Sequence, residues 1–191
     1  VDSGEGCGVS IKDDYRVISI PKDQTYEWLL NKHYAKRIPS ISYSFGLFDD
    51  ENILQGVCTF GQPPSDGIRN CAGEKYIENT IELNRLIKND GLQKNVQSWF
   101  VSQCLSMIPN PMIVISYSDP NYGHYGYTYQ ACNFYFTGYG GEPKEYFYNG
   151  KRFNSRHIKD YWFESRKLAF DSSKTIDYNF IKAGGQVVKV M

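Results

Sequence analysis

Residues 111–119 read PMIVISYSD. A β-branched apolar run that opens on Pro and closes on a polar turn is a strand signal. The run from 112 to 115 is unbroken by polar residues, the pattern of a strand in a sheet covered on both faces. Just upstream, residues 95–108 (NVQSWFVSQCLSMI) set Val96, Phe100, Val101, Cys104, Leu105 and Ile108 at helical spacing. Asn95 is placed as the N-cap, and Pro-Asn-Pro at 109–111 stops the helix. With the strand TIELNRLIKN (80–89) before that helix, the middle of the chain reads strand–helix–strand. After the second strand the character changes. Residues 116–130, SYSDPNYGHYGYTYQ, hold five tyrosines, an Asp-Pro step and two glycines around a His-Tyr pair. Ligands in open α/β sheets bind beyond the carboxyl ends of strands, so this segment is where a site is expected.

The remaining elements follow from the same signals. YRVISI (15–20) reads as a strand, and KDQTYEWLLNKHYAKR (22–37) as a helix with Asp23 as N-cap. Residues 40–61 read as a hairpin turning at DDEN, and 62–79 as a long Gly/Pro/Asp loop. A short helix is expected near 125–132, then a strand FYFTGY (134–139). Residues 140–191 give short strands at KEYFYNGKRF and GQVVKVM around a helix near SRHIKDYWF. The expected class is α/β (α+β), a mixed central sheet flanked by helices with a small C-terminal extension. The element order is that of the GNAT acyltransferase fold, one option among several mixed layouts. The divisions expected are a disordered or appended tail over 1–10, a catalytic domain over 11–140, and a C-terminal extension over 141–191. That extension is expected to pack on or continue the sheet.

Composition narrows the classes. Lys plus Arg and Asp plus Glu each number 21, so the formal net charge is zero, and binding to nucleic acid turns on how charge is distributed. No apolar run reaches membrane-spanning length, and VDSGEGCGVS lacks the apolar core of a secretory signal. The five cysteines lack CxxC spacing and read as small buried hydrophobes in a reducing compartment. Aromatics make up 16% of the chain, enough for a stacking surface or for Tyr-lined core edges.

Four segments, HYAKRIP (33–39), ELNRL (82–86), NVQS (95–98) and SYSDPNYGHYGYTYQACNF (116–134), occur in an order that resembles the Mom family of bacteriophage DNA-modification proteins. The resemblance covers about residues 15–140. It implies a GNAT-like fold and conversion of adenine N6 in DNA to an N6-carbamoylmethyl (acetamido) form, which protects phage DNA from host restriction. The expected partners are double-stranded DNA with a flipped adenine and an acyl donor, without a membrane; a homodimer is compatible with the sequence. The implied setting is the host cytoplasm during infection. The alternative is a GNAT acyltransferase that acetylates a small amine or a protein with acetyl-CoA.

The candidate residues carry stated roles. Asp119 can take the proton of the N6 amine as it attacks, or merely cap the turn before Pro120. Tyr129 is assigned to protonate the leaving group, against a packing role. His33 and Tyr34 are catalytic by the resemblance, while His33 alone reads as a partner of the helix C-terminus. Arg85, a charge inside a strand, must pair with Glu82 or Asp119 or hold an anionic donor. Asn95, Val96, Gln97 and Ser98 form a helix start that can meet an anion, although NDGLQKNVQSWF lacks the G-x-G coenzyme A fingerprint. Acetyl-CoA and an aminoacyl donor such as a charged tRNA therefore both stay open. Ser116, Tyr117, His124 and Tyr125 are placed against substrate. Lys36, Arg37, Lys151, Arg152, Arg156 and His157 are placed against DNA phosphates, or on a solvated face. Iron enters only through the resemblance, with His33, Tyr34 and Asp119 as its set; no HxxxH or HxD pair supports it, and no metal ligand is assigned.

Overall fold

The computed structural model describes residues 10–140, 144–153 and 158–189. They form two compact units that divide between Phe136 and Thr137. The first runs α1 (Ile11–Asp14), β1 (Tyr15–Ser19), β2 (Tyr43–Asp49), β3 (Leu54–Gly61), α2 (Asp66–Arg69), β4 (Thr80–Lys88), α3 (Val96–Met107), β5 (Ile113–Ile115) and α4 (Tyr127–Ala131). Its five strands lie in sequence order, antiparallel from β1 to β4, with β4 and β5 parallel. A parallel pair needs a crossover, and α3 supplies it.

Strand alternation divides the sheet into two faces. Phe45, Leu47, Cys58, Phe60, Ile81 and Leu83 meet Val96, Phe100, Val101, Cys104 and Ile108 of α3 in the main core. Val57, next to Cys58, points the other way and packs with Ile20 and Trp28. Phe60 and Phe100 are fully buried, each worth roughly 2–3 kcal/mol of apolar transfer. The β2–β3 turn closes as its sequence suggests. Asn52 takes the left-handed conformation (φ 67°), and the Ile53 amide donates to Asp49 Oδ1 at 2.7 Å. The architecture is therefore the expected mixed sheet flanked by helices.

Three expectations change. The helix read over 22–37 is a helical stretch that ends at Lys32, preceded by Pro21 rather than capped by Asp23. Its first turn is tight, and its last, Trp28–Lys32, is a wide π turn in which the His33 amide donates to the Trp28 carbonyl at 3.0 Å. Trp28 and Leu29 are both buried there, and the wide turn ends in extended backbone at His33. The strand read over 112–118 shortens to β5, residues 113–115, all half-buried. Among the described residues it lies at the sheet edge beside β4, and because its three residues are only half-buried, its apolar run does not mark a strand fully covered on both faces. Residues 134–139 form no strand; Tyr135 and Phe136 are 95% and 75% exposed. Their aromatic alternation mimics a strand, but among the described residues no strand forms a ladder with it.

The second unit contains β6 (Lys144–Tyr148), β7 (Lys151–Phe153), α5 (Asp160–Glu164), α6 (Ile176–Lys182) and β8 (Gln186–Lys189). Among the described residues these strands do not continue the first sheet but form a sheet of their own in the order β7-β6-β8. Asn149 and Gly150 both have positive φ (49° and 71°), the primed turn that an Asn-Gly hairpin favours. Tyr146, Ile158, Trp162, Phe163 and Phe180 form its core. Helix α6, absent from the sequence reading, starts at Thr175, whose hydroxyl accepts from the Tyr178 amide.

Candidate functional site

The site begins with a defect in β4. Thr59 pairs with Arg85 but the next residue, Phe60, pairs with Leu83, so Asn84 is the extra residue of a bulge. Its amide is held on both sides. Thr59 Oγ1 donates to Asn84 Oδ1 at 2.6 Å, and Asn84 Nδ2 donates to the Ser40 carbonyl at 2.8 Å. Gly61 permits that approach, since a Cβ there would stand 1.9 Å from the Ser40 oxygen. The parallel ladder of β4 and β5 ends just before the bulge, at Glu82 opposite Ile115. Beyond it the strands part, and the Ser116 hydroxyl donates to the Leu83 carbonyl at 2.9 Å.

Arg85 follows the bulge and is 8% exposed. Its Nη1 donates to the Asn84 carbonyl, while its Nε and Nη2 are buried without a hydrogen-bond partner. Burial, then the charge of Arg37, disfavours its protonated form; Tyr34 and Glu82 act the other way. The loop after the π turn brings His33 and Tyr34 within reach of the charge of this guanidinium. Their rings stack with centroids 4.3 Å apart, and Tyr34 in turn stacks on Tyr122 at 4.1 Å and lies 5.8 Å from His124. The segment 119–124 is folded on Asp119, whose carbonyl accepts from the amides of Tyr122 and His124. Burial foremost, then Asp119, raises the Tyr34 pKa.

His33 is buried, and its Nδ1 accepts from the Ala35 amide at 3.0 Å. The neutral ring must then carry its proton on Nε2. Burial, then Arg85, His124 and Arg37, lowers its pKa to about 4, so the ring is neutral at pH 7. It is a donor rather than a base. Tyr129, on α4, shares a hydrogen bond with the Ser116 hydroxyl, and burial raises its pKa. A tyrosine held protonated in this way suits a proton donor.

Of the residues singled out in the sequence, His33, Tyr34, Arg85, Asp119 and His124 gather here, with Arg37 close enough for its charge to act on three of them. Ser116 and Tyr129 adjoin the same opening. Tyr117 and Tyr125 are exposed, at 53% and 60%. Tyr122, which the sequence left among surface or stacking residues, is the ring that stacks on Tyr34. At the start of α3, Asn95 caps from the left-handed region without a side-chain bond, Val96 is fully buried, Gln97 is half-buried, and the Ser98 hydroxyl donates to the Asn95 carbonyl. Lys36 is exposed. Lys151 and Arg152 lie on β7 of the second unit, where Arg152 pairs with Glu145 at 2.5 Å. Arg156 and His157 lie outside the described residues. His33, Tyr34 and Asp119, the set that the resemblance offers for iron, all lie at this opening, where the Ala35 amide occupies Nδ1 of His33.

A family model described as the Mom protein family matches residues 14–189. No curated protein matches the chain. Among solved structures, a proposed acetyltransferase from Deinococcus radiodurans R1 is similar at 12% identity, over 69% of this chain and 89% of that one, with a TM-score of 0.44. Among the described residues no helix is long and apolar enough to cross a membrane.

Proposed function

The chain belongs to the Mom protein family, and from that premise we propose that it converts the N6 amine of adenine in DNA to a carbamoylmethyl form. The observation that carries this reading is the convergence of three of the four segments on one opening, where Tyr34 stacks on Tyr122 and feels the charges of both Asp119 and Arg85. The N6 lone pair is delocalised into the ring, so attack needs a base for its proton, and Asp119 takes that role. Tyr129 returns a proton to the leaving group. A duplex adenine must leave the stack to be reached, and the exposed rings of Tyr122 and Tyr125 offer it a face.

Atom balance bears on the donor. An acetyl group lacks the nitrogen of carbamoylmethyl, whereas a glycyl group contains the same atoms in another order. An aminoacyl ester therefore supplies every atom: N6 attacks the ester carbonyl, its proton goes to Asp119, and the departing alkoxide takes one from Tyr129. In the N6-glycyl product the free glycyl amine then attacks adenine C6, the original C6–N6 bond breaks, and the former N6 takes up the amine's proton and becomes the carboxamide nitrogen of the carbamoylmethyl isomer. The place proposed for the donor is the gap where β4 and β5 part.

Charge supports a nucleic-acid role for the second unit. Residues 137–191 hold 10 of the 21 Lys and Arg but 6 of the 21 Asp and Glu, a net of +4 that leaves −4 on residues 1–136. A whole-chain balance of zero conceals that asymmetry.

The test is expression in a bacterium, digestion of its DNA to nucleosides, and mass spectrometry, with Asp119→Ala as control. An added C2H3NO on deoxyadenosine in the wild type alone supports the reading, and fragmentation separates the two isomers. Unmodified DNA from folded protein, together with acetyl transfer to a small amine, would favour the ordinary acyltransferase.

A further inference from the structure

We propose that Arg85 and His33 form a binding site for a single oxyanion, a carboxylate or a phosphate, which the guanidinium grips side-on through Nε and Nη2 while His33 donates from Nε2. The inference concerns what the opening binds and stands whether or not the acceptor is adenine.

The first observation is which guanidinium atoms are free. Nη1 is engaged by the Asn84 carbonyl; Nε and Nη2 are buried and unbonded. Those two N–H bonds run parallel along one edge of the guanidinium, and their spacing matches two oxygens of one carboxylate or phosphate. A buried donor left without an acceptor costs about 1–3 kcal/mol, so a strand interior keeps such an arginine at a cost unless something fills the fork. Thr59 and Ser40 hold the Asn84 bulge that sets this edge, so the fork is fixed before a ligand arrives.

The second observation is independent of Arg85. The Ala35 amide occupies Nδ1 of His33 and so assigns the proton to Nε2, on the opposite side of the ring. A neutral imidazole can stand beside a guanidinium without repulsion and still donate. The ring is clamped by its stack on Tyr34. The groups facing it include two cations, Arg85 and Arg37, and His124, which favour an anion between them. Glu82 acts on Arg85 and Asp119 on Tyr34, which limits the site to one modest negative charge.

The probes are inorganic phosphate and acetate, each titrated into the full-length protein at constant ionic strength. The readout is the NMR resonance of the Arg85 Nε–H together with the His33 ring nitrogens. Saturable shifts at millimolar probe or below are expected from at least one anion. Saturation by phosphate points to a phosphorylated or nucleic-acid ligand, and saturation by acetate to a carboxylate. Arg85→Lys keeps the charge and loses the fork, and is expected to weaken binding at least 10-fold. His33→Gln, which retains a donor, is expected to stay within about 3-fold of wild type, and His33→Leu to lose more. Linear shifts up to 50 mM for both anions would overturn the proposal without recourse to a variant. So would a folded Arg85→Lys protein that binds as the wild type does.

Discussion

Acidification tests the reading of His33 through stability alone, without a substrate. A histidine is ordinarily half-protonated near pH 6.5, and in this fold the value is lowered to about 4. Between those two values the unfolded chain binds the proton and the folded protein does not. Stability therefore rises with pH in that window and is lost as pH falls through it. The contribution is near zero above pH 7.5, about 2 kcal/mol unfavourable at pH 5, and about 3 kcal/mol below pH 4. That ceiling is a sizeable share of the roughly 5–15 kcal/mol by which a domain is stable. Carboxylates such as Asp49 and Asp171, whose pKa values hydrogen bonds to Ile53 and Ser173 lower, also lose stabilisation in acid. Differencing against His33→Gln removes that common background. The assay is urea unfolding of both proteins at pH 7.5 and pH 5. The wild type is expected to lose about 2 kcal/mol more than the variant between the two. An excess loss under 0.5 kcal/mol would mean that the ring is charged, or free to leave its pocket, and would remove the basis for a fixed neutral donor.

Two further outcomes concern the second unit. Tyr146, 4% exposed, donates to Asp177 Oδ1 at 2.5 Å, and burial with that carboxylate pushes its pKa up to about 12. Tyr146→Phe is expected to cost about 2 kcal/mol by denaturant unfolding, and a cost under 0.5 kcal/mol would show that the bond is replaced by water at no loss. Reversing Lys151 and Arg152 to Glu is expected to weaken DNA binding for all sequences alike and to flatten the log K against log salt slope by about 1 for each phosphate interaction removed; an unchanged slope would detach β7 from the phosphates.

The fold was legible wherever local chemistry and tertiary pairing agree. β2 and β3 were readable because the Asp49–Ile53 turn closes on its own side chain. Helix α3 was readable because one face repeats and Pro109 ends it. The strand at 134–139 failed because alternating Phe and Tyr report only a tendency, and the edge of β5 offers three residues on which to build. The helix at 22–37 failed because periodicity presumes a constant turn, whereas this one widens at Trp28. At the site, Arg85 was visible as a charge in a strand and Asp119 as the acidic residue of the polar segment that follows β5. The Tyr34–Tyr122 stack was not visible, since a contact across 88 residues leaves no trace in spacing.

Three departures from regular structure meet at the site. The wide turn delivers His33 and Tyr34, the bulge at Asn84 aims Arg85, and the parting of β4 from β5 opens the space that Ser116 and Asp119 border. Each is a departure from regular structure, and each costs stability that a continuous helix or ladder would have kept. The cost is met nearby: Trp28 and Leu29 bury at the wide turn, and two side-chain bonds hold the bulge. A chain selected for stability alone would close the ladder and pair the guanidinium. Regular elements carry the fold and are readable from pattern, while the turn, the bulge and the gap that shape the candidate site are departures that pattern reading does not see.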